Sequence, residues 1–371
     1  MPTKTKSNRS TPKHLGHLVL TLATLLTSGD AVANTLTQNT SWTIDRSNTT
    51  TKYRLVAYGD SIFAGYYGNI SNAAKRAAPY VQGEYLSNTW NTDIEVVRRT
   101  KSGAKADDIY NNKIVAERSY MQDPSTRVVV FEMCGNDFLQ ARSSFSEEYG
   151  ACDYSIMDNA LATCTTYQER AMQAVNQYAT TAKKKMIMNL FYPGYDADNV
   201  LSNCFDAGTG QKINKQNMML IRLAKSNWRA CNFAQQYGFS CIDGFAESMG
   251  ADYDSNGDGL IDSAALRWVA GESESAYVTR ITTNLRANIR DANFHLVSAG
   301  TSYDYVQSDN THPTYSGNAT IYLGLIGGTG TGSGAAEYSG AQIVGGKNPV
   351  WNRFGHERTG WAHAILNPAT P

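Results

Sequence analysis

Ser61 lies where a serine can act as a nucleophile. An apolar run from Leu55 to Tyr58 ends abruptly in Gly59-Asp60-Ser61. This pattern is typical of a buried strand that stops at a sharp turn, at the carboxyl edge where open α/β sheets bind ligands. A serine hydroxyl attacks a carbonyl group only when a neighbouring base takes its proton. The chain must therefore also supply a base, an acid to orient that base, and an oxyanion hole.

His312 is the candidate base. It belongs to the segment Asp309-Asn310-Thr311-His312-Pro313. An aspartate three residues before a histidine can accept the Nδ1 hydrogen and so fix the tautomer in which Nε2 faces the serine. Pro313 suits the first position of a following helix, which leaves His312 on the preceding loop. Since the pattern is loose, the alternative is an exposed turn with an incidental histidine.

Three groups are candidate donors to an oxyanion. They are the backbone N–H of Ser61, Gly103 after the second predicted strand, and the Asn136 side chain after the third. Each follows the carboxyl end of a predicted strand, so one sheet edge would bring them together. Taken alone, Gly103 also suits an ordinary turn, and Gly135-Asn136 also suits a turn.

An acidic loop has the spacing of a calcium site. The groups at positions 1, 3, 5, 7 and 9 of this loop come from Asp254, Asn256, Asp258, the Leu260 carbonyl and Asp262, with Gly259 at position 6. Position 12 is Ala265, so the bidentate glutamate of a full loop is missing, and Asp252 is the extra ligand that would compensate. We expect any calcium here to be structural, and the alternative is an acidic turn without metal.

Strands and helices alternate along the chain. The predicted strands are 53–58, 94–97, 127–133, 185–191 and 239–242, and helical spacing covers 70–90, 107 onward, 155–183 and 212–237. This order predicts an α/β fold with three α/β/α layers around a mainly parallel five-stranded sheet. The polar residues 34–52 suggest a surface lead-in.

We expect a single domain over residues 34–371. No repeat or linker divides it, but residues 243–308 look like an insertion that carries the acidic loop. From about residue 327 a Gly-rich extension follows. It lacks the Lys-Ser/Thr ending of a phosphate-binding loop.

In order and spacing, these motifs resemble the GDSL family of serine hydrolases, also called SGNH hydrolases. The resemblance spans about residues 53–325 and rests on Gly59-Asp60-Ser61, Gly103, Gly135-Asn136-Asp137 and Asp309 to Pro313. It implies a flavodoxin-like fold, with Ser61 as nucleophile, His312 as base and Asp309 as the acid that orients it. It also implies oxyanion donors from the Ser61 and Gly103 amides and the Asn136 side chain, and no cofactor for catalysis.

Two positions depart from the family pattern. The first block continues as Ile62-Phe63-Ala64, where the family often has Leu-Ser. Cys134 stands where a glycine often precedes the Gly-Asn-Asp motif. A disulfide at Cys134 would constrain the oxyanion loop.

The amino terminus has the pattern of a secretory signal peptide over residues 1–33. Four basic residues precede the apolar stretch Leu15–Leu26, and Ala31-Val32-Ala33 offers a cleavage site before Asn34. Twelve residues are too short to cross a bilayer, so no transmembrane segment is expected. The prediction is a secreted or periplasmic protein, and the alternative is a disordered basic tail.

Charge and cysteine content limit the partners. The full chain has 33 basic and 33 acidic residues, and removal of residues 1–33 leaves 29 and 32. A slightly acidic surface argues against nucleic acid as a partner. We expect a monomer that acts on a small-molecule, lipid or glycan ester.

Six cysteines in an exported chain fit up to three disulfides, with fifteen connectivities. Close pairs such as Cys152 with Cys164 are plausible, and no spacing indicates zinc.

The leading hypothesis is a secreted esterase or lipase. A carbohydrate acetylesterase with the same triad is the rival among enzymes. A non-catalytic exported calcium-binding module is the rival outside them.

Overall fold

A computed structural model describes residues 39–46, 49–65, 78–190, 201–249, 266–284 and 311–312. The strands are β1 (Thr40–Ile44), β2 (Lys52–Gly59), β3 (Asp93–Thr100), β4 (Thr126–Glu132), β5 (Lys184–Met188), β6 (Leu201–Phe205), β7 (Lys212–Asn214) and β8 (Ser240–Ile242). The helices are α1 (Ser61–Ala64), α2 (Ala78–Trp90), α3 (Ala106–Asp108), α4 (Ser119–Gln122), α5 (Gly135–Ser146), α6 (Ser155–Tyr178), α7 (Lys215–Tyr237), α8 (Gly244–Met249) and α9 (Glu274–Thr279). The π-helical turns Ile109–Val115 and Arg280–Asn284 continue α3 and α9.

The central sheet has six strands in the order β1-β3-β2-β4-β5-β8. Strands β3, β2, β4, β5 and β8 pair in parallel, which confirms the predicted α/β class and its five parallel strands. Their order corresponds to 2-1-3-4-5, the flavodoxin-like arrangement. Strand β1 pairs antiparallel with β3 at the edge.

The edge strand β1 corrects the expectation of a surface lead-in over 34–52. Thr40, Trp42 and Ile44 are partly buried, whereas Ser41 and Thr43 are exposed. Trp42 and Ile44 pack against the core. The threonines of β1 made this segment look polar throughout. Its residues in fact alternate between partly buried and exposed, which is typical of an edge strand with one covered face.

Helices cover both faces of the sheet, because alternate residues of each strand enter different cores. Leu55 and Ala57 of β2 belong to one core, together with residues of α2, α8 and α9. Val56 and Tyr58 belong to the other, together with residues of α3, α5 and α6. Helix α7 contributes to both cores. The three predicted layers are therefore present.

Two disulfides join segments beside the sheet. Cys152 is bonded to Cys204 and Cys231 to Cys241, each with Cα atoms 5.0 Å apart. The suggested pairing of Cys152 with Cys164 is wrong. Cys152 pairs instead with the β6–β7 hairpin, where its N–H donates to the Phe205 carbonyl, whereas Cys164 is buried as a free thiol.

Among the described helices, none combines the length and the apolar character that a bilayer crossing requires. The predicted signal peptide at 1–33 lies outside the described residues.

Candidate active site

Ser61 begins helix α1 immediately after strand β2. The Asp60 carboxylate caps this helix, because its Oδ1 accepts a hydrogen bond from the Ile62 N–H at 2.8 Å. The helix ends after one turn at Gly65, whose φ of 70° lies in the left-handed region. Ser61 therefore occupies a strand-to-helix turn at the carboxyl edge of the sheet, with 7% of its surface exposed.

Glu132 lies directly beneath this turn and is a residue that the sequence patterns did not single out. Its Oε1 accepts a 2.6 Å hydrogen bond from the Asp60 N–H. The same oxygen lies 2.3 Å from where a β-carbon on Gly59 would be, so a larger residue at this position would displace the Glu132 carboxyl group. The sequence does contain a hint of its role, because Glu132 is a charged residue in the apolar run of β4 and a buried carboxyl group needs hydrogen-bond partners.

Asp60 and Glu132 form a buried carboxyl pair, 1% and 3% exposed. Burial, and then the negative charge of Asp60, raise the pKa of Glu132 well above its ordinary value. Burial also raises the pKa of Asp60, while hydrogen bonds from the Ile62 amide, Glu132 and Asn136 and the charge of His312 oppose that rise. Burial in the folded protein therefore favours the protonated form of Glu132.

Asn136, in the first turn of α5, joins the ends of three strands. Its Nδ2 donates to Asp60 Oδ2 and to the Ala104 carbonyl, both at 3.0 Å. Both partners are acceptors, so the amide nitrogen must face them. Asn136 thereby fixes the turn after β2 to the loop after β3.

Gly103 lies in that loop after β3. Its φ of 75° explains why a glycine occupies the position. Lys101 N–H donates to the Gly59 carbonyl at 2.9 Å, which carries the β2–β3 pairing into the loop. Gly103 directly precedes Ala104, whose carbonyl oxygen accepts a hydrogen bond from Asn136. Its role as an oxyanion donor stays a prediction.

Thr311 completes the lining beside Ser61, and His312 is the next residue in the chain. Thr311 lines the same cavity as Ser61 and Asn136, and the charge of His312 acts on Asp60. The fold thus brings Thr311 to the cavity beside Ser61, although about 250 residues separate the two in the chain. Asp309 lies outside the described residues, so its role in orienting His312 stays a prediction.

A small cavity of about 50 Å³ opens beside Ser61. Its polar wall is formed by Asp60, Ser61, Glu132, Asn136, Asn189 and Thr311. Its apolar wall includes Ile62, Met133, Phe138, Leu139, Met188, Leu190, Met219 and Leu223. A cavity lined by both polar and apolar side chains suits a substrate with a carbonyl group and a hydrocarbon part.

One cluster among the described residues has the composition of a metal site. Cys134, Asp137 and Cys164 are buried, with ligand atoms within 4.8 Å of one another. The predicted calcium ligands from Asp252 to Asp262 lie outside the described residues, so that site stays a prediction.

Comparison with known proteins gave matches among solved structures alone. No family model and no curated protein matches the chain. A lipase from a goat rumen metagenome has a TM-score of 0.42 at 13% identity, covering 73% of this chain and 94% of that one. An extracellular lipase from Streptomyces rimosus has a TM-score of 0.41 at 15% identity, covering 62% and 95%.

A phospholipase A1 from Streptomyces albidoflavus has a TM-score of 0.40 at 15% identity, covering 62% of this chain and 94% of that one.

Proposed function

We propose that the protein is a serine ester hydrolase in which Ser61 is the nucleophile. The observation that supports this most strongly is that Ser61, Asn136 and Thr311 line one cavity at the carboxyl edge of the sheet, with His312 next to Thr311 in the chain. A hydroxyl with a neighbouring imidazole and amide donors has the composition that acyl transfer requires.

The proposed reaction has two steps. In the first, Ser61 Oγ attacks the ester carbonyl while His312 takes its proton and then gives it to the leaving alcohol. In the second, water attacks the acyl-enzyme with His312 again as base, and the acid is released. Asp309 is proposed to hold the His312 ring in the productive tautomer. No cofactor takes part in either step.

The proposed oxyanion hole consists of the Ser61 and Gly103 amides and the Asn136 side chain. Asn136 Nδ2 is held by Asp60 and the Ala104 carbonyl, which fixes its place beside Ser61. A developing oxyanion carries charge, so it competes well with the neutral Ala104 carbonyl for one amide hydrogen. Fixed donors cost little reorganisation when the charge appears.

The apolar wall of the cavity is proposed to receive the acyl group. Methionine, leucine and phenylalanine side chains favour hydrocarbon over charged groups. The proposed substrate is therefore a neutral carboxylic ester, and its alcohol is not specified by these residues.

Hydrolysis of p-nitrophenyl esters tests the proposal. We expect Ser61→Ala to lower kcat by at least about a thousandfold. The matched control is Ser144→Ala, at an exposed serine of α5. Ester hydrolysis undiminished in Ser61→Ala would overturn the assignment. An assay panel with phospholipids and acetylated sugars distinguishes lipid from glycan esters.

We also propose that the protein is exported as a monomer. The two disulfides support the export, because disulfides form and persist in oxidising compartments. Protein recovered from outside the cytoplasm should have the intact mass of a chain whose first residue is Asn34. A mass that retains residues 1–33 would contradict the proposed cleavage.

A structural calcium ion at the acidic loop is the last part of the proposal. The spacing from Asp254 to Asp262 supports it. Calorimetric titration of the chelated protein with Ca²⁺ should release heat that Asp258→Ala abolishes. Titration without heat would remove the site.

A further inference from the structure

Two free cysteines face each other in the core behind the proposed oxyanion loop. Cys134 follows β4 and Cys164 lies within α6, and both are completely buried. Their Sγ atoms lie within 4.8 Å of each other, and a hydrogen bond joins the two thiols. We propose that Cys134 and Cys164 form a third disulfide in the mature protein.

The backbone at Cys134 supports this bond. Its φ of 88° places it in the left-handed region, which residues with a β-carbon seldom occupy. A glycine would adopt this conformation without strain. A covalent bond to α6 would hold the turn in this unusual conformation, which explains why a cysteine occupies the position.

The other disulfides support the same conclusion. Four of the six cysteines are already paired, so the chain folds where thiols are oxidised. A metal held by Cys134, Cys164 and Asp137 is the competing arrangement. That cluster offers three protein ligands among the described residues, whereas structural zinc sites use four.

The bond forms by thiol–disulfide exchange. One cysteine thiolate attacks a disulfide oxidant of the dithiol–disulfide class and forms a mixed disulfide. The second thiolate then displaces the oxidant. Two protons and two electrons leave the cysteine pair, and the oxidant departs as a dithiol. Because both thiols are buried in the folded chain, the exchange takes place before the core closes.

The bond would act on the proposed active site, and this part rests on the proposed function. Cys134 precedes Asn136 by two residues, and Asn136 holds Asp60 beside the nucleophile. A bridge to α6 therefore fixes the loop that presents the Asn136 amide. Cys134 and Cys164 are positioning residues in this account, since neither touches the substrate.

Thiol counting tests the bond independently of any activity. The full mature chain is refolded with glutathione disulfide, denatured in guanidinium and treated with N-ethylmaleimide. We expect no adduct in the intact mass, and a peptide pair cross-linked through Cys134 and Cys164 after digestion. Two adducts at these cysteines would overturn the proposal, whether or not elemental analysis finds bound zinc.

A second measurement tests the link to the site. The double variant Cys134→Ala/Cys164→Ala should fold and show a roughly tenfold to hundredfold lower kcat on p-nitrophenyl butyrate, with KM little changed. The control is Cys152→Ala/Cys204→Ala, which removes the disulfide between the α5–α6 connection and strand β6 and should retain kcat. An unchanged kcat in the first variant would contradict the positioning role. A protein inactive in every form would contradict the proposed function, while the thiol count would still decide the bond.

Discussion

The Asp60 amide donates a 2.6 Å hydrogen bond to the Glu132 carboxyl group, directly beneath the proposed nucleophile. Glu132 thereby joins the end of β4 to the turn after β2. Asp60 in turn caps helix α1 and accepts from Asn136. One buried carboxyl pair thus sets the positions of both Ser61 and Asn136.

Replacement of Glu132 should change the pH dependence of stability. A carboxyl group whose pKa is raised by burial binds its proton more tightly in the folded state, so wild-type stability falls as pH rises above the unfolded pKa. Glu132→Gln imitates the protonated form and should lose this slope. Denaturant unfolding from pH 5 to 9 measures it, and an equal slope in both proteins would contradict a protonated Glu132.

Glu132→Ala should be much more damaging than Glu132→Gln. It leaves the buried Asp60 N–H without its acceptor and opens a cavity, at a cost of about 2–4 kcal/mol. We expect kcat to fall as well, because the Ser61 turn loses its support. Equal unfolding free energies for the two variants would show that this hydrogen bond contributes nothing.

Asn136→Ala should separate catalysis from binding. Loss of the amide removes the proposed oxyanion donor and the links to Asp60 and Ala104. We expect kcat to fall by roughly 10²- to 10³-fold with KM little changed. Asn111→Ala is the control, since Asn111 donates to a carbonyl on an exposed part of the helical segment. Similar kcat values for the two variants would exclude Asn136 from the reaction.

Ionisation of the buried Asp137 carboxyl group should lower the stability of the folded protein. Burial raises the pKa of this group to about 6, against the opposing hydrogen bond from the Ala106 N–H. The folded state therefore loses stability between about pH 4 and 6, by at most about 3 kcal/mol. Asp137→Asn should remove this loss, whereas Glu147→Gln, at an exposed acidic residue just after α5, should not. Unfolding curves at pH 4, 5, 6 and 7 compare them.

Leu139 should influence acyl-chain preference. It is partly exposed and lines the apolar wall of the cavity beside Ser61. Leu139→Trp fills that space and should lower kcat/KM for p-nitrophenyl butyrate more than for the acetate, and Leu139→Ala should do the reverse. Leu201→Trp, on the exposed strand β6, serves as control. An unchanged ratio of the two substrates would place the acyl group elsewhere.

The sequence was most informative where burial is complete. The continuous apolar and β-branched runs of β2 and β4 predicted central parallel strands, because both faces are covered. The strand ends then placed Ser61 and Asn136 at one edge. By contrast, β1 was missed because its threonines suggested a surface segment, and a half-buried edge strand carries only a weak pattern.

Long-range pairings were beyond sequence patterns. The bond between Cys152 and Cys204 depends on where the β6–β7 hairpin packs, 52 residues along the chain. Glu132 was covered by the predicted strand, but its partner Asp60 is 72 residues away. The contact between Glu132 and Asp60 is fixed by the register of β2 against β4, which local spacing does not specify.

Covalent labelling tests the central claim most directly. The folded protein is treated with a fluorophosphonate probe, and the adduct is located by mass spectrometry of the digested chain. We predict one adduct per chain, on Ser61, and strongly slowed labelling in His312→Ala. An unlabelled Ser61 in protein that hydrolyses esters, or an adduct on a different serine, would contradict Ser61 as the nucleophile.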